Sequence, residues 1–169
     1  MVWLTGISGA GKSTLAMALA DQLRADGHAT EVLDGDLVRD FFDHDLGYSR
    51  EDRTRNVMRI AFAAKLLADH GVIAIVANIA PYREVRARVR AKLPAYTQVY
   101  VKVALATARA RDVKGLYARH AAGAEQPLVG VDDGYDEPQH PDLVLDTDVL
   151  SVHDATERLI DVVRARVAA

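Results

Sequence analysis

The chain has 169 residues with 21 basic and 24 acidic side chains, which gives a formal net charge of −3. This length fits a single domain over residues 1–169, and the mixed charge excludes the strongly basic proteins that bind nucleic-acid polymers or anionic membranes. The chain has no cysteine, which excludes disulfides, thiolate catalysis and cysteine-based zinc sites. No apolar run approaches the ~20 residues that span a bilayer, and Met1 leads straight into the first strand, without room for a signal peptide. We therefore expect a cytoplasmic protein that binds small molecules.

The first motif lies directly behind the apolar run Val2–Leu4, where Gly6–Ser13 reads GISGAGKS. This spacing is typical of the phosphate-binding loop of nucleoside triphosphatases, in which a strand ends, backbone N–H groups surround an anion and a helix begins. Lys12 has the length to reach the β- and γ-phosphates, and the Ser13 hydroxyl is suited to Mg²⁺. The motif predicts a site for ATP or a related triphosphate with Mg²⁺ as its cofactor.

The next elements place two carboxylates at a strand end. Leucines at a four-residue spacing predict an amphipathic helix that ends near Gly27, and a second short strand over 30–33 runs into Asp34-Gly35-Asp36. Carboxyl ends of parallel strands form the edge where α/β sheets bind ligands. Two carboxylates around a glycine are also common in turns, but the phosphate-binding loop favours the functional interpretation.

The middle of the chain alternates helices and strands. We predict a short helix from Leu37 to about His44, and a long helix that Ser49 caps and that ends at His70-Gly71. An apolar strand over 72–77, a basic helix over 83–92, a strand over 98–103 and a short helix over 104–111 follow. A strand over 143–145 and a helix over 154–167 close the chain.

The stretch from about 112 to 141 has glycines, prolines and acidic residues but no sustained periodicity. It is too long for an ordinary connection in so small a domain, so it is either disordered or a lid over the site. The remaining alternation of strands and helices predicts a three-layer α/β sandwich with a parallel sheet of about five strands, the fold of P-loop nucleoside-triphosphate-binding proteins.

Phosphoryl transfer fits the residues at the predicted edge, since it requires held phosphates, an in-line hydroxyl and compensation of developing charge. Asp36 is the candidate to orient or deprotonate the acceptor hydroxyl, and Asp34 to support Mg²⁺ or Asp36. Arg39, Arg53 and Asn56 are candidates to clamp an anionic acceptor. For Arg55 and Arg59 we favour ordinary ion pairs on a solvated helix face, and the six histidines lack metal-ligand spacing.

Several motifs together resemble one family, the adenylylsulfate kinases. They are GISGAGKS, LDGD with Arg39 three residues later, LGYS, Asp52-Arg53 with Asn56 beyond, NIAPYR, RDVKGLYAR and GVDDGYDEP. The resemblance covers nearly the whole chain in the right order. It implies ATP-dependent phosphorylation of the 3′-hydroxyl of adenosine 5′-phosphosulfate to 3′-phosphoadenosine 5′-phosphosulfate, and a homodimer.

The resemblance also implies site residues. Catalysis would rest on Lys12 and Asp36, and the metal on Ser13. ATP would be bound by Gly6, Ser8, Gly9, Ala10, Gly11, Lys12, Ser13 and Thr14, with Arg109 and Thr147 near its base. The acceptor would meet Asp34, Asp36, Arg39, Arg53, Asn56, Ile79, Ala80, Lys114, Gly115, Leu116 and Leu128.

Three positions depart from the family pattern. Ala80 replaces a serine that is sometimes phosphorylated, so no phosphoserine can form there. Leu128 and Asp40 replace aromatic residues of some members, whose rings stack on the acceptor's adenine. The departures at Leu128 and Asp40 keep open a kinase of the same fold that acts on another nucleotide, such as a cytidine diphosphate derivative. A non-catalytic nucleotide-binding switch is a further alternative, which the absence of an NKxD motif and the presence of the acceptor-side residues disfavour.

Overall fold

The computed structural model describes residues 1–93, 95–124 and 126–167. A single five-stranded parallel sheet has the strand order β2-β3-β1-β4-β5. The strands are β1 (Val2–Thr5), β2 (Thr30–Asp34), β3 (Ile73–Ala77), β4 (Thr97–Lys102) and β5 (Leu143–Asp146). The helices are α1 (Lys12–Ala25), α2 (Gly35–Phe41), α3 (Arg50–Asp69), α4 (Arg83–Lys92), α5 (Leu105–Arg111), α6 (Leu116–Ala121) and α7 (Val152–Val167). The predicted three-layer P-loop fold is confirmed.

Side chains alternate between the two faces of the sheet and fill two apolar clusters. In β1, Val2 and Leu4 point into a cluster with the inner faces of α1 and α7, whereas Trp3 points into a cluster with α3 and α4. This alternation is the two-residue period of a strand. Because both faces are covered, the strands are nearly continuous apolar runs, as expected for a parallel sheet.

Two predicted helix boundaries shift for identifiable reasons. The Asp34 side chain accepts a hydrogen bond from the Asp36 amide at 2.9 Å, so α2 begins at Gly35 rather than Leu37. It ends at Phe41 because Asp43 and His44 adopt φ angles of 50° and 52°. The predicted cap of α3 is confirmed, since the Ser49 hydroxyl oxygen accepts from the Asp52 amide at 3.1 Å.

The stretch over 112–141 contains a helix that the sequence did not predict. The Asp112 carboxylate accepts hydrogen bonds from the amides of Tyr117 at 3.0 Å and Ala118 at 2.8 Å, which closes the start of α6. Tyr117 is the buried residue of this helix. Six residues are too few for a hydrophobic period to stand out, so the helix depends on the Asp112 cap and one buried ring.

None of the described helices is both long enough and apolar enough to cross a membrane.

Candidate active site

A cleft of about 620 Å³ runs along the carboxyl edge of the sheet. The loop after β1, the β2–α2 junction and the segment after β3 line its floor, and residues of the 112–141 stretch line its roof. This is the edge at which parallel α/β sheets bind ligands, beside the central strand where the strand order reverses. The structure therefore brings the predicted motifs to one place.

Residues 6–13 form a loop that admits only glycine at its tightest points. At Gly6 the φ angle is 151°, and a Cβ atom would lie 2.2 Å from the Val101 carbonyl oxygen. At Gly9 the φ angle is 79°, and a Cβ would lie 2.9 Å from the Ala108 carbonyl oxygen. The residues from Ser8 to Thr14 line the cleft, whereas Gly6 does not.

Lys12 lies within this loop, where its Nζ donates to the Ile7 carbonyl at 2.8 Å. Desolvation, with a further contribution from the nearby charge of Lys114, lowers the pKa of Lys12 to about 8. A bound polyphosphate would counter both effects. The ammonium is thus placed at the start of α1, where the backbone amides also favour an anion.

Ser13 and Asp34, predicted as the metal site and its support, are adjacent. The Ser13 hydroxyl donates to one Asp34 oxygen at 2.6 Å, while the other accepts from the Asp36 amide at 2.9 Å. Among the described residues there is no cluster of three or more His, Cys, Asp or Glu side chains suited to a metal. One hydroxyl beside a carboxylate suits Mg²⁺ that keeps waters and phosphate oxygens as its other ligands.

Asp36 and Lys114 form an ion pair across the cleft. Partial burial of the ammonium opposes its charge, but the Asp36 carboxylate more than compensates and raises the pKa of Lys114 above its ordinary value. The pair connects the floor of the cleft to its roof. Leu116, the first residue of α6, also lines the cleft, whereas Gly115, which precedes α6 and has a φ angle of 63°, does not.

Arg39 and Arg53 line the cleft, but each is already bonded to a backbone carbonyl. Arg39 is buried, and its Nη1 donates to the carbonyls of Leu46 and Gly47, both at 3.0 Å. Arg53 donates from Nε to the Tyr48 carbonyl at 3.0 Å. Its Nη2 bonds the Pro127 carbonyl at 2.6 Å, and desolvation lowers its pKa. Both guanidiniums therefore hold loops, and each carries further N–H groups that can face a ligand.

Asn56, the third residue predicted to clamp the acceptor, has a buried side-chain amide. Its Nδ2 lies 3.5 Å from the Gly35 carbonyl oxygen, and its Oδ1 has no hydrogen-bond partner among the described residues. A buried acceptor without a partner costs free energy unless a ligand or water satisfies it. Because Asn56 lines the cleft, a ligand donor is the direct explanation.

Sequence reasoning missed Tyr48 as a site residue. Its ring lines the cleft, with the guanidinium carbons of Arg39 at 4.6 Å and Arg53 at 5.4 Å from the ring centre. The signal was available as the aromatic residue immediately before the Ser49 cap. Asp40, where an aromatic residue was expected to matter, does not line the cleft, and its side chain is 78% exposed.

The loop over 78–81 is fixed by another missed residue, Arg86. Its buried guanidinium donates to the carbonyls of Ala80 at 2.6 Å and Pro81 at 3.0 Å, and also to that of Asp136. Ala80 has a φ angle of 41°, and its amide bonds Asn78 Oδ1 at 2.9 Å. Ile79 and Ala80 line the cleft as predicted, and the buried Leu128 side chain lines it from the roof.

The structure separates the two residues that were predicted near the ATP base. Thr147 lines the cleft, and its hydroxyl donates to the Ala10 carbonyl at 3.2 Å. Arg109 instead lines a separate depression with Tyr117 and His120. Arg111 lines the cleft, and its Nη1 donates to Thr147 Oγ1 at 3.0 Å. Residues two apart on a helix point about 200° apart, so a shift from 109 to 111 moves the side chain to the opposite face.

Comparison with known proteins agrees with the resemblance that the sequence motifs indicated. The sequence profile of the adenylylsulphate kinase family matches residues 1–146. The chain is 51% identical over 161 residues to the adenylyl-sulfate kinase of Deinococcus deserti, covering 95% of this chain and 89% of that one.

Two solved structures are also similar. The Mycobacterium tuberculosis APS kinase, in complex with AMPPNP and APS, has a TM-score of 0.91 at 38% identity and matches over 96% of both chains. The hexameric APS kinase from Thiobacillus denitrificans has a TM-score of 0.73 at 34% identity over 97% of this chain and 28% of that one.

Proposed function

The chain belongs to the adenylylsulfate kinase family, and from that membership we propose how the residues of its cleft divide the work of the reaction. The enzyme phosphorylates the 3′-hydroxyl of adenosine 5′-phosphosulfate at the expense of ATP. The observation that carries the assignment to the cleft is the meeting of the phosphate-binding loop with Asp36, Arg39, Arg53 and Asn56 at one edge of the sheet.

The donor half of the cleft comprises the loop over 6–14 together with Thr147. The backbone amides of the loop and Lys12 hold the ATP phosphates, and the protonated ammonium compensates charge on the transferring group. Arg111 and Thr147 lie at the far side of the loop, where the adenine of ATP would extend. Arg111, rather than Arg109, is our candidate for that contact.

Ser13 would hold Mg²⁺, with Asp34 directing the Ser13 hydroxyl. When bound, the cation neutralises charge on the β- and γ-phosphate oxygens. The remaining ligands would be phosphate oxygens and water, since Mg²⁺ commonly uses few protein groups.

The acceptor half of the cleft comprises Asp34, Asp36, the arginines and the roof. The acceptor's 3′-oxygen forms a bond to the γ-phosphorus while the bond from that phosphorus to the β,γ-bridging oxygen breaks. The hydroxyl proton passes to the Asp36 carboxylate. Lys114 pairs with Asp36 before the acceptor arrives and faces the developing charge during transfer.

Binding of the acceptor nucleotide rests on the remaining residues of this half. Arg39, Arg53 and Asn56 offer donors and an acceptor to its anionic groups, and the backbone at Ile79 and Ala80 borders the pocket. The Tyr48 ring and the Leu128 side chain supply the two apolar surfaces between which a base can lie. Tyr48 supports adenosine 5′-phosphosulfate as the acceptor, because it offers the cleft an aromatic ring although Leu128 and Asp40 are not aromatic.

The reaction is tested by incubating purified protein with ATP, Mg²⁺ and adenosine 5′-phosphosulfate and identifying the nucleotide products. We expect 3′-phosphoadenosine 5′-phosphosulfate and ADP in equal amounts. A panel with cytidine diphosphate derivatives as competing acceptors, ranked by kcat/KM, measures specificity. Binding of ATP without phosphorylation of any acceptor would contradict the proposal and favour a non-catalytic switch.

We treat residues 1–169 as one kinase domain whose segment over 112–141 is its lid, including Lys114, Gly115 and Leu116. Two ends of this segment are held differently. Near residues 133–136, Tyr82 donates to the Asp133 carboxylate and Arg86 donates to the Asp136 carbonyl. Near residue 114, the contact with the floor of the cleft is the ion pair of Lys114 with Asp36. Amide exchange with and without both nucleotides tests the lid. We expect added protection over 114–124, and equal exchange in both states would contradict a lid.

A homodimer is our proposal for the assembly. Its support is the family membership and the exposure of Leu37, Phe41, Phe62 and Leu66 on α2 and α3. A second copy is the simplest cover for such side chains. Light scattering coupled to size exclusion should give twice the 18.4 kDa of the chain, and a monomer mass at micromolar concentration would contradict it.

We place the reaction in the cytoplasm, where ATP and Mg²⁺ are both abundant. Fractionation of cells that express the protein tests this, and recovery outside the cytoplasmic fraction would contradict it.

A further inference from the structure

The loop over 42–49, between α2 and α3, carries Tyr48 into the cleft and is held from two sides. Its backbone is unusual, because Asp43 and His44 both have left-handed φ angles although neither is glycine. Such conformations carry a free-energy cost and persist where surrounding contacts determine them. The contacts that hold this loop therefore decide where the Tyr48 ring stands.

The inner side of the loop is held by residues of the cleft. Arg39 donates to the Leu46 and Gly47 carbonyls, and Arg53 donates to the Tyr48 carbonyl. These guanidiniums also face the Tyr48 ring. A displacement of the loop would therefore move the ring and both arginines together.

The outer side is held by Arg59, which lies away from the cleft on α3. Its two terminal nitrogens bond the two oxygens of Asp45 at 2.7 and 2.8 Å. Its guanidinium carbon also stands 4.3 Å from the centre of the Phe42 ring. The forked hydrogen bonds lower the pKa of Asp45. The Arg59 side chain thus holds the loop at Phe42 and at Asp45, three residues apart. Its two parallel hydrogen bonds to one carboxylate are a geometry that arginine makes and lysine cannot.

Arg55, one turn earlier on the same helix, makes a different kind of contact. It bonds Glu51 at 2.6 Å, four residues back within α3, and both side chains are largely exposed. That pair joins two residues of one helix and holds no loop. The two arginines look alike in sequence, but only Arg59 connects the helix to the segment that carries Tyr48.

We propose that Arg59 is a positioning residue for the acceptor nucleotide. Through Asp45 and Phe42 it fixes the loop over 42–49 and so presents Tyr48, Arg39 and Arg53 in the geometry that the acceptor binds. The inference rests on the proposed function of the cleft. Loss of Arg59 should weaken acceptor binding and leave ATP binding unchanged, because Arg59 contacts Asp45 and Phe42 and not the phosphate-binding loop.

The test compares Arg59→Ala with Arg55→Ala, the matched control on the same helix. We expect Arg59→Ala to raise the KM for adenosine 5′-phosphosulfate by roughly three- to tenfold, because the loop must then be ordered at the expense of binding. The KM for ATP should stay within about twofold, and kcat at saturating acceptor should change less than the acceptor KM. Arg55→Ala should leave all three constants unchanged. Arg59→Lys, which keeps the charge without the fork, should rescue only in part.

A second measurement does not depend on the reaction. Amide exchange of the ligand-free protein should rise over 43–48 in Arg59→Ala and stay at the wild-type level in Arg55→Ala. An unchanged acceptor KM with unchanged exchange would overturn the inference, as would equal changes in the constants for ATP and acceptor. If wild-type protein phosphorylates no acceptor while the exchange result holds, the proposed function fails and the loop-holding role of Arg59 stands.

Discussion

The two halves of the cleft are built by different means. The phosphate-binding part of the donor half is one continuous loop over residues 6–14, whose geometry comes from glycine backbone and from the start of α1. The acceptor half is assembled from separated segments, and arginine side chains connect these segments by donating hydrogen bonds to backbone carbonyls. Arg39 donates to the carbonyls of residues 46 and 47, Arg53 to those of 48 and 127, and Arg86 to those of 80, 81 and 136. The first half can be recognised from a motif alone. The second depends on charged side chains whose partners are carbonyl groups.

The comparison predicts that a substitution in the donor half changes turnover and spares acceptor binding. Lys12→Ala should lower kcat on the order of 10³-fold, because charge on the transferring phosphoryl loses its partner. The KM for adenosine 5′-phosphosulfate should stay within about threefold. Steady-state kinetics measure both. A near-normal kcat would remove Lys12 from the chemistry, and a large loss of acceptor binding would mean that the halves are not separate.

Asp36 lies where the halves meet, so its removal should affect chemistry more than either binding constant. We expect Asp36→Asn to lower kcat by roughly 10²-fold, because the amide cannot take the acceptor's proton. Asp40→Asn is the matched control, since Asp40 lies four residues along α2 with an exposed side chain. Equal losses in the two variants would point to a helix effect and contradict the assignment.

Tyr48 tests the acceptor half by itself. Tyr48→Leu should raise the KM for the acceptor by about 5- to 150-fold, since loss of a base–aromatic stack costs roughly 1–3 kcal/mol. The KM for ATP should not change. Tyr48→Phe keeps the ring and serves as the control, with constants close to those of the wild type. If Tyr48→Leu affects both nucleotides alike, the ring does not belong to one half.

The pH dependence sharpens the same comparison from the donor side. The pKa of Lys12 in the free enzyme is lowered to about 8, so the ammonium is charged at pH 7 and loses its proton as the pH rises through 8. We expect kcat/KM for ATP to be level below about pH 7 and to fall toward tenfold per unit above 8. The profile is measured from pH 6 to 9.5 at fixed ionic strength. A flat profile would contradict Lys12 as the origin of the pH dependence. So would a profile whose decline does not move to higher pH in Lys12→Arg.

The sequence predicted the donor loop and the Ser49 cap because each rests on contacts between near neighbours, and it predicted the sheet because each strand is a short apolar run. Ser49 with Asp52 and the glycines of residues 6–13 are such cases. It did not identify Arg86, because that side chain bonds the carbonyl of Asp136, 50 residues away along the chain. It did not single out Tyr48, although this aromatic residue stands immediately before the Ser49 cap. Arg109 was named from the family resemblance, which does not give the rotation of the seven-residue helix α5 that turns Arg111 toward the cleft. Arg59 was indistinguishable from Arg55 until the loop was placed.

The position of the chain's one tryptophan has a practical consequence for spectroscopy. Trp3 is fully buried in β1, beside Tyr96 at a ring distance of 6.2 Å, in the cluster with α3 and α4. It does not line the cleft. Its fluorescence emission should therefore follow unfolding of the domain and respond little to bound nucleotide. Each variant above thus carries an internal reporter that separates a lost reaction from a lost fold.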